Sequence, residues 1–203
     1  MNKTDKEKLA LELLDIGCVK FGEFILKSGI KSPVYIDLRI LVSYPKTLKK
    51  VGQALADILK KLKFDRIAAI PYAALPLAAS VSLAINKPWI YTRKEIKDHG
   101  IKKPIEGLYK KGEKAVIIDD LITYGTSKLE VIQPIIQEGL KVKDIVVLVD
   151  REQGGKEHLA KKGYHLHAVY KISDWLKILK QKKKITSFQY KKTIAFLRQT
   201  KIK

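Results

Sequence analysis

Two rhythms of apolar positions divide the chain. Leu9, Leu13 and Ile16 recur at helical spacing behind a capping box, Thr4-Asp5-Lys6-Glu7, and predict a helix to about Asp15 that stops at Gly17. Segments 21–26 and 34–38, separated by the turn Lys27-Ser28-Gly29, read as strands of a small antiparallel unit outside the main sheet. Pro45 opens a long helix with Leu48, Val51, Leu55, Ile58, Leu59 and Leu62 along one stripe. From there short apolar strands (67–70, 89–92, 145–149 and 165–170) alternate with helical segments (76–85 and 156–162). Residues 93–113 are polar, punctuated by glycine and without period, and Ile185, Phe188, Ile194 and Leu197 predict a last helix. Strands alternating with helices imply an α/β fold, a parallel sheet flanked by helices on both faces. With no repeats and no linker, residues 1–203 read as a single domain. Ligands in such folds collect at the carboxyl ends of strands. That places Pro71-Tyr72, Arg93, Asp119-Asp120 and Asp150-Arg151 around one crevice.

The chemistry concentrates in residues 115–127, AVIIDDLITYGTS. Ala115, Val116, Ile117 and Ile118 are too few for a helix and rich in β-branching, so they predict a buried strand. Asp119 and Asp120 follow at its end, then a polar turn, Thr123-Tyr124-Gly125-Thr126-Ser127, and a helix carrying Leu129, Ile132, Ile135 and Ile136. Backbone N–H groups and hydroxyls gathered in a turn at a helix N-terminus suit a phosphate. Adjacent carboxylates can accept hydrogen bonds from two sugar hydroxyls. Together they suit a ribose phosphate. The chain has neither a G-x-x-x-x-G-K-[ST] loop nor a G-x-G-x-x-G fingerprint.

Composition narrows the setting. The chain has 203 residues, 46% hydrophobic and 31% charged, enough for one α/β domain with a full core. No apolar run has the length of a membrane span, and the charged N-terminus is unlike a signal peptide. A single cysteine, Cys18, fits a reducing cytoplasm. Asn2-Lys3-Thr4 matches a glycosylation sequon and is taken as chance. The net charge of +20 raises nucleic acid as a partner, but half of the excess, ten Lys or Arg without an acidic residue, lies in 175–203. With lysine dominating and no row of stacking aromatics, a solvated basic surface is the simpler reading. His165 and His167 face one side of a strand and read as structural, Trp89 and Trp175 as core or interface, and His158 as solvent-facing.

Three further segments join the 115–127 motif: 26–39 (LKSGIKSPVYIDLR), 91–100 (YTRKEIKDHG) and 149–155 (VDREQGG). In this order the four resemble the orotate phosphoribosyltransferases of the type I phosphoribosyltransferase family, and most the version forming the N-terminal half of UMP synthase. Pro71-Tyr72-Ala73-Ala74-Leu75-Pro76 strengthens that likeness, which runs from about Leu9 to Leu179. The resemblance implies a type I phosphoribosyltransferase fold, with hood elements in 1–45 and a basic C-terminal extension over 180–203.

It also implies roles. Segment 93–108 would be a lid shared between subunits of a homodimer, with Arg93, Lys94, Lys97 and His99 gripping the diphosphate of phosphoribosyl pyrophosphate (PRPP). Lys97 and Asp120 would be the catalytic pair. Lys27 and Tyr72 would bind PRPP, Asp119 and Asp120 the ribose hydroxyls, and Thr123, Tyr124, Gly125, Thr126 and Ser127 the 5-phosphate. Lys27, Tyr35, Ile36, Thr123 and Arg151 would surround orotate, with Arg151 on its carboxylate. On residues alone, Arg151 serves equally as a salt-bridge partner of Glu152. Mg²⁺ would bind through PRPP and water rather than a protein cage. Ala73 stands where many bacterial members carry lysine, and Asp119 replaces the usual glutamate. From the tail's position, docking of an orotidine-monophosphate decarboxylase is a further reading.

Overall fold

The computed structural model describes residues 1–25, 29–93 and 104–202. A six-stranded sheet forms the centre, in the order β5 (Ile105–Glu106), β4 (Trp89–Thr92), β3 (Arg66–Ala69), β6 (Lys114–Ile122), β7 (Lys141–Asp150), β8 (His165–Lys171). All neighbours run parallel except β5, which pairs antiparallel with β4. Strand-to-strand alternation splits the core between the two faces. Ile67, Ala69, Val116, Ile118, Val146 and Leu148 point to one, Ala68, Ile117, Ile145 and Val147 to the other.

The first face is covered by α1 (Lys3–Asp15), α2 (Pro45–Leu59), α3 (Ala74–Ile85) and α6 (Ile172–Gln181), and α7 (Ser187–Gln199) packs beyond them on α6 and the N-terminal strand pair. On the second lie α4 (Thr126–Gln137), through Ile132 and Ile135, and α5 (Gly155–Lys161), through Leu159. Apart from the sheet, β1 (Val19–Ile25) and β2 (Lys31–Ile36) form the expected antiparallel pair, with a register shift between Phe21 and Phe24. The α/β fold class therefore stands as read from the sequence.

Several local expectations change. The cap of α1 is Asn2, whose side chain accepts the Asp5 N–H at 2.8 Å, so the sequon asparagine is a helix cap and the helix starts ahead of Thr4. Within the polar run 93–113, β5 adds an edge strand. Residues Ile172, Trp175, Leu176 and Leu179 are buried along one stripe of α6, a helix the sequence reading passed over. Trp175 is fully buried, and its indole N–H donates to Ala10 O at 3.0 Å. His158 is half-buried rather than solvent-facing. His167 bonds Asp144 at 2.8 Å, with His165 3.6 Å from the same oxygen. Among the described residues no group of three or more His, Cys, Asp or Glu could hold a metal.

Candidate active site

Where β3 ends, β6 continues. Their pairing stops at Ala69 and Ile118, whereas β6 stays bonded to β7 up to Ile122 and Asp150. Asp119 and Asp120 are therefore inside a strand rather than after it. They sit on the stretch of β6 whose β3 side has been vacated. A cavity of about 630 Å³ opens there, lined by Ile36, Asp37 and Arg39 from the hood, Tyr72 and Ala73 after β3, Arg93 after β4, and Asp119, Asp120, Ser127 and Lys128.

Both acids are desolvated. Asp119 is 5% exposed, and one of its oxygens accepts the Asp120 N–H at 2.8 Å. The other lies 2.6 Å from Lys128 Nζ, which also donates to Leu121 O at 2.7 Å. Asp120 Oδ1 accepts the Leu121 N–H at 2.7 Å. Burial, with the charge of Asp119 second, pushes the Asp120 carboxyl well above the usual carboxylate range.

The turn after β6 reaches α4 through Gly125, whose φ of 97° favours glycine, and whose added Cβ would stand 3.1 Å from Ile122 Cδ1. Thr126 and Ser127 are exposed at the helix start, where the first N–H groups have no intrahelical acceptor. Thr123 and Tyr124 are half-buried. The Tyr124 ring stacks on His158 at 4.1 Å between centroids.

One strand over, β7 delivers Asp150 and Arg151. The Arg151 N–H donates to Ile122 O at 3.0 Å, which holds this backbone beside the turn. Its Nε is buried without a hydrogen-bond partner among the described residues, and burial lowers its pKa. Glu152 does not pair with it: that carboxylate accepts the Ser173 N–H at 2.9 Å at the start of α6. A buried Nε lacking an acceptor matches a site for an anion brought from outside.

Arg93 forms an ion pair with Glu106, and its N–H donates to Pro104 O at 2.9 Å. Arg39 was not singled out in the sequence. It makes a two-pronged contact with Asp37 at 2.7 Å on each prong and reaches the Tyr35 hydroxyl at 3.2 Å. Lys128 was missed as well, being the residue directly after the polar turn.

Of the expected site residues, Ile36, Tyr72, Arg93, Asp119, Asp120 and Ser127 line the cavity. Thr123, Tyr124, Gly125, Thr126 and Arg151 stand at the same carboxyl edge of the sheet but outside that lining, and Tyr35 meets it through Arg39. Lys27, Lys94, Lys97 and His99 lie outside the described residues.

The family model described as "Phosphoribosyl transferase domain" matches residues 39–175. An orotate phosphoribosyltransferase from Pyrococcus abyssi is 37% identical, over 83% of this chain and 94% of its own length. Uridine 5'-monophosphate synthase of Bos taurus is 42% identical over 94% of this chain. The solved UMP synthase of Leishmania donovani superposes with a TM-score of 0.88 and 47% identity over 96% of this chain. This chain spans only 40% of the bovine protein and 42% of the Leishmania one. A doubly wound sheet with a paired-acid strand, a glycine-entered helix and matches of this extent place the chain in the phosphoribosyl transferase family, among the orotate phosphoribosyltransferases.

Proposed function

We propose that the chain transfers the 5-phosphoribosyl group of PRPP to N1 of orotate, giving orotidine 5'-monophosphate and pyrophosphate in the formation of UMP. The observation that carries this reading is an acidic crevice of about 630 Å³ beside Arg151, at the end of the adjacent strand, whose Nε is buried without a hydrogen-bond partner among the described residues. Purine and uracil acceptors have no carboxylate for such a group to meet.

In this reading Asp120, with Asp119, accepts the ribose hydroxyls. The N–H groups and hydroxyls of 123–127 take the 5-phosphate at the positive end of α4. Arg151 forms a two-pronged pair with the orotate carboxylate, which only a guanidinium makes well. Thr123, Tyr35 and Ile36 flank the ring. As the C1–O bond lengthens, negative charge collects on the departing diphosphate. Arg93, released from Glu106, meets it together with Lys27, Lys94, Lys97 and His99; removing one such donor costs about 100- to 1000-fold in rate.

Mg²⁺ would be held through the oxygens of PRPP and water rather than by side chains of this chain. When bound, it neutralises diphosphate charge. A homodimer sharing segment 93–108 belongs to the same reading, as do a cytoplasmic location and a decarboxylase as fused or docked partner. The longer relatives motivate that last element. No helix among the described residues is long and apolar enough to cross a membrane.

The test follows loss of orotate absorbance with PRPP and Mg²⁺, with uracil as the rival acceptor. Lys97→Ala should depress mainly kcat, and Arg151→Ala should raise mainly the KM for orotate. Equal use of uracil would remove the role given to Arg151.

A further inference from the structure

The side chain of Lys128 is 7% exposed, yet it sits in the first turn of α4, where the helix dipole disfavours a cation. A buried ammonium at a positive helix end persists only if something compensates it. Asp119 does, at 2.6 Å, with Leu121 O as a second acceptor at 2.7 Å. The pair lines the crevice and stands directly against the second acid of the motif. Both Asp119 oxygens are thereby occupied, one by Lys128 and one by the Asp120 N–H. Asp119 is consequently the fixed member of the two carboxylates, and Asp120 the member left to meet a ligand.

We propose that Lys128 is a positioning residue of the PRPP site: by neutralising and pinning Asp119, it lets Asp120 act as an ionised acceptor for the ribose hydroxyls. The inference rests on the PRPP reading given above. Two adjacent buried carboxylates resist ionising together, and each favours the proton on the other. The nearby ammonium opposes that tendency, in line with its lowering influence on Asp120.

Lys128→Met keeps the stem and removes the charge. In wild type, turnover of orotate with PRPP must first be present; without it the PRPP reading itself fails. Given that activity, Lys128→Met should raise the KM for PRPP about 10- to 100-fold, the loss expected when a charged hydrogen-bond partner is removed. The KM for orotate should change far less. The acid limb of the kcat/KM profile for PRPP should move to higher pH, because Asp120 becomes harder to ionise. Asp119→Asn with Lys128→Met removes both charges and should return that limb toward its wild-type position. The double variant also serves if Lys128→Met alone fails to fold. An unmoved acid limb in folded Lys128→Met, or in the case of misfolding a double variant with its limb displaced as far as loss of Asp119 alone displaces it, would overturn the proposal. Equal rises in the KM values of both substrates would do the same.

Discussion

The ring of His158 lies flat on that of Tyr124, 4.1 Å between centroids and 12° between planes, with Nδ1 3.1 Å from the Tyr124 carbonyl oxygen. Since a carbonyl only accepts, Nδ1 carries the proton. A helix that follows the Arg151 loop thereby braces the turn that precedes α4. On the proposed reading, the segment that takes the 5-phosphate of PRPP and the segment that meets the orotate carboxylate lean on each other.

His158→Ala removes a stacked ring and a hydrogen bond, each worth about 1 kcal/mol. If the turn's order depends on both, the KM for PRPP should rise about 5- to 30-fold with a smaller fall in kcat. Steady-state kinetics at saturating orotate measures it. An unchanged KM would show that the turn holds its shape without the ring.

Acid and neutral limbs of stability should respond to different carboxyls. Asp120 has its folded value raised by burial and by Asp119, so the native state keeps a proton that the unfolded chain has lost. Stability from this group is present at low pH and declines as pH rises from the ordinary carboxylate range through the raised value. Asp120→Asn should flatten that decline. Glu113 is the opposite case: the Arg66 guanidinium at 2.8 Å holds it down to about 2. Its contribution is present above the ordinary glutamate value and is lost as pH falls toward 2, so Glu113→Gln should lower stability at neutral pH and lose that difference as pH falls toward 2. Denaturant midpoints across pH separate the two.

Trp175 tests whether α6 is structural. Trp175→Phe keeps most of the apolar volume and removes the indole donor to Ala10 O, a loss of about 0.5–1.5 kcal/mol. Trp175→Ala adds a cavity and should cost about 3–5 kcal/mol. Equilibrium unfolding of both variants gives the difference, and a near-zero cost for Trp175→Ala would contradict the packing.

Gly154, at φ 102°, is the N-cap of α5 beside the Arg151 loop, and an added Cβ would fall 2.4 Å from Ile202 O. Gly154→Ala should cost roughly 1–3 kcal/mol in backbone strain, with the contact added to it. Deleting residues 201–203 in that variant should recover the contact part and leave the strain, read as a partial return of the melting temperature.

Much of this was legible because it depends on period. The apolar runs of β3, β6 and β7 are buried on both faces and read as uninterrupted apolar strands, so the fold class followed from local pattern. The stripe Ile172, Trp175, Leu176 and Leu179 was equally regular, but the lysines interleaved with it drew attention to charge instead of spacing. Other features had no local signal. Asp119 and Asp120 belong to the strand because β7 keeps pairing after β3 has stopped, which only the sheet decides. Lys128 looked like any surface lysine on a helix. Its burial is set by a carboxylate nine positions earlier in the chain that faces it across the strand-to-helix turn. For His158, the aromatic partner lies on a different element, and neighbouring lysines suggested water.

The pairing of Thr92 with Ile105, sealed by the Arg93 N–H on Pro104 O, has an engineering consequence. The backbone departs from the sheet and rejoins it at one ladder rung, so the interval between can be grafted from a relative without re-registering any strand. Doubling such an insert costs only about 0.6 kcal/mol in closure entropy. On the proposed reading, that junction makes 94–103 an exchangeable cassette, through which the cations Lys94, Lys97 and His99 can be rewritten while Asp119 and Asp120 stay as they are.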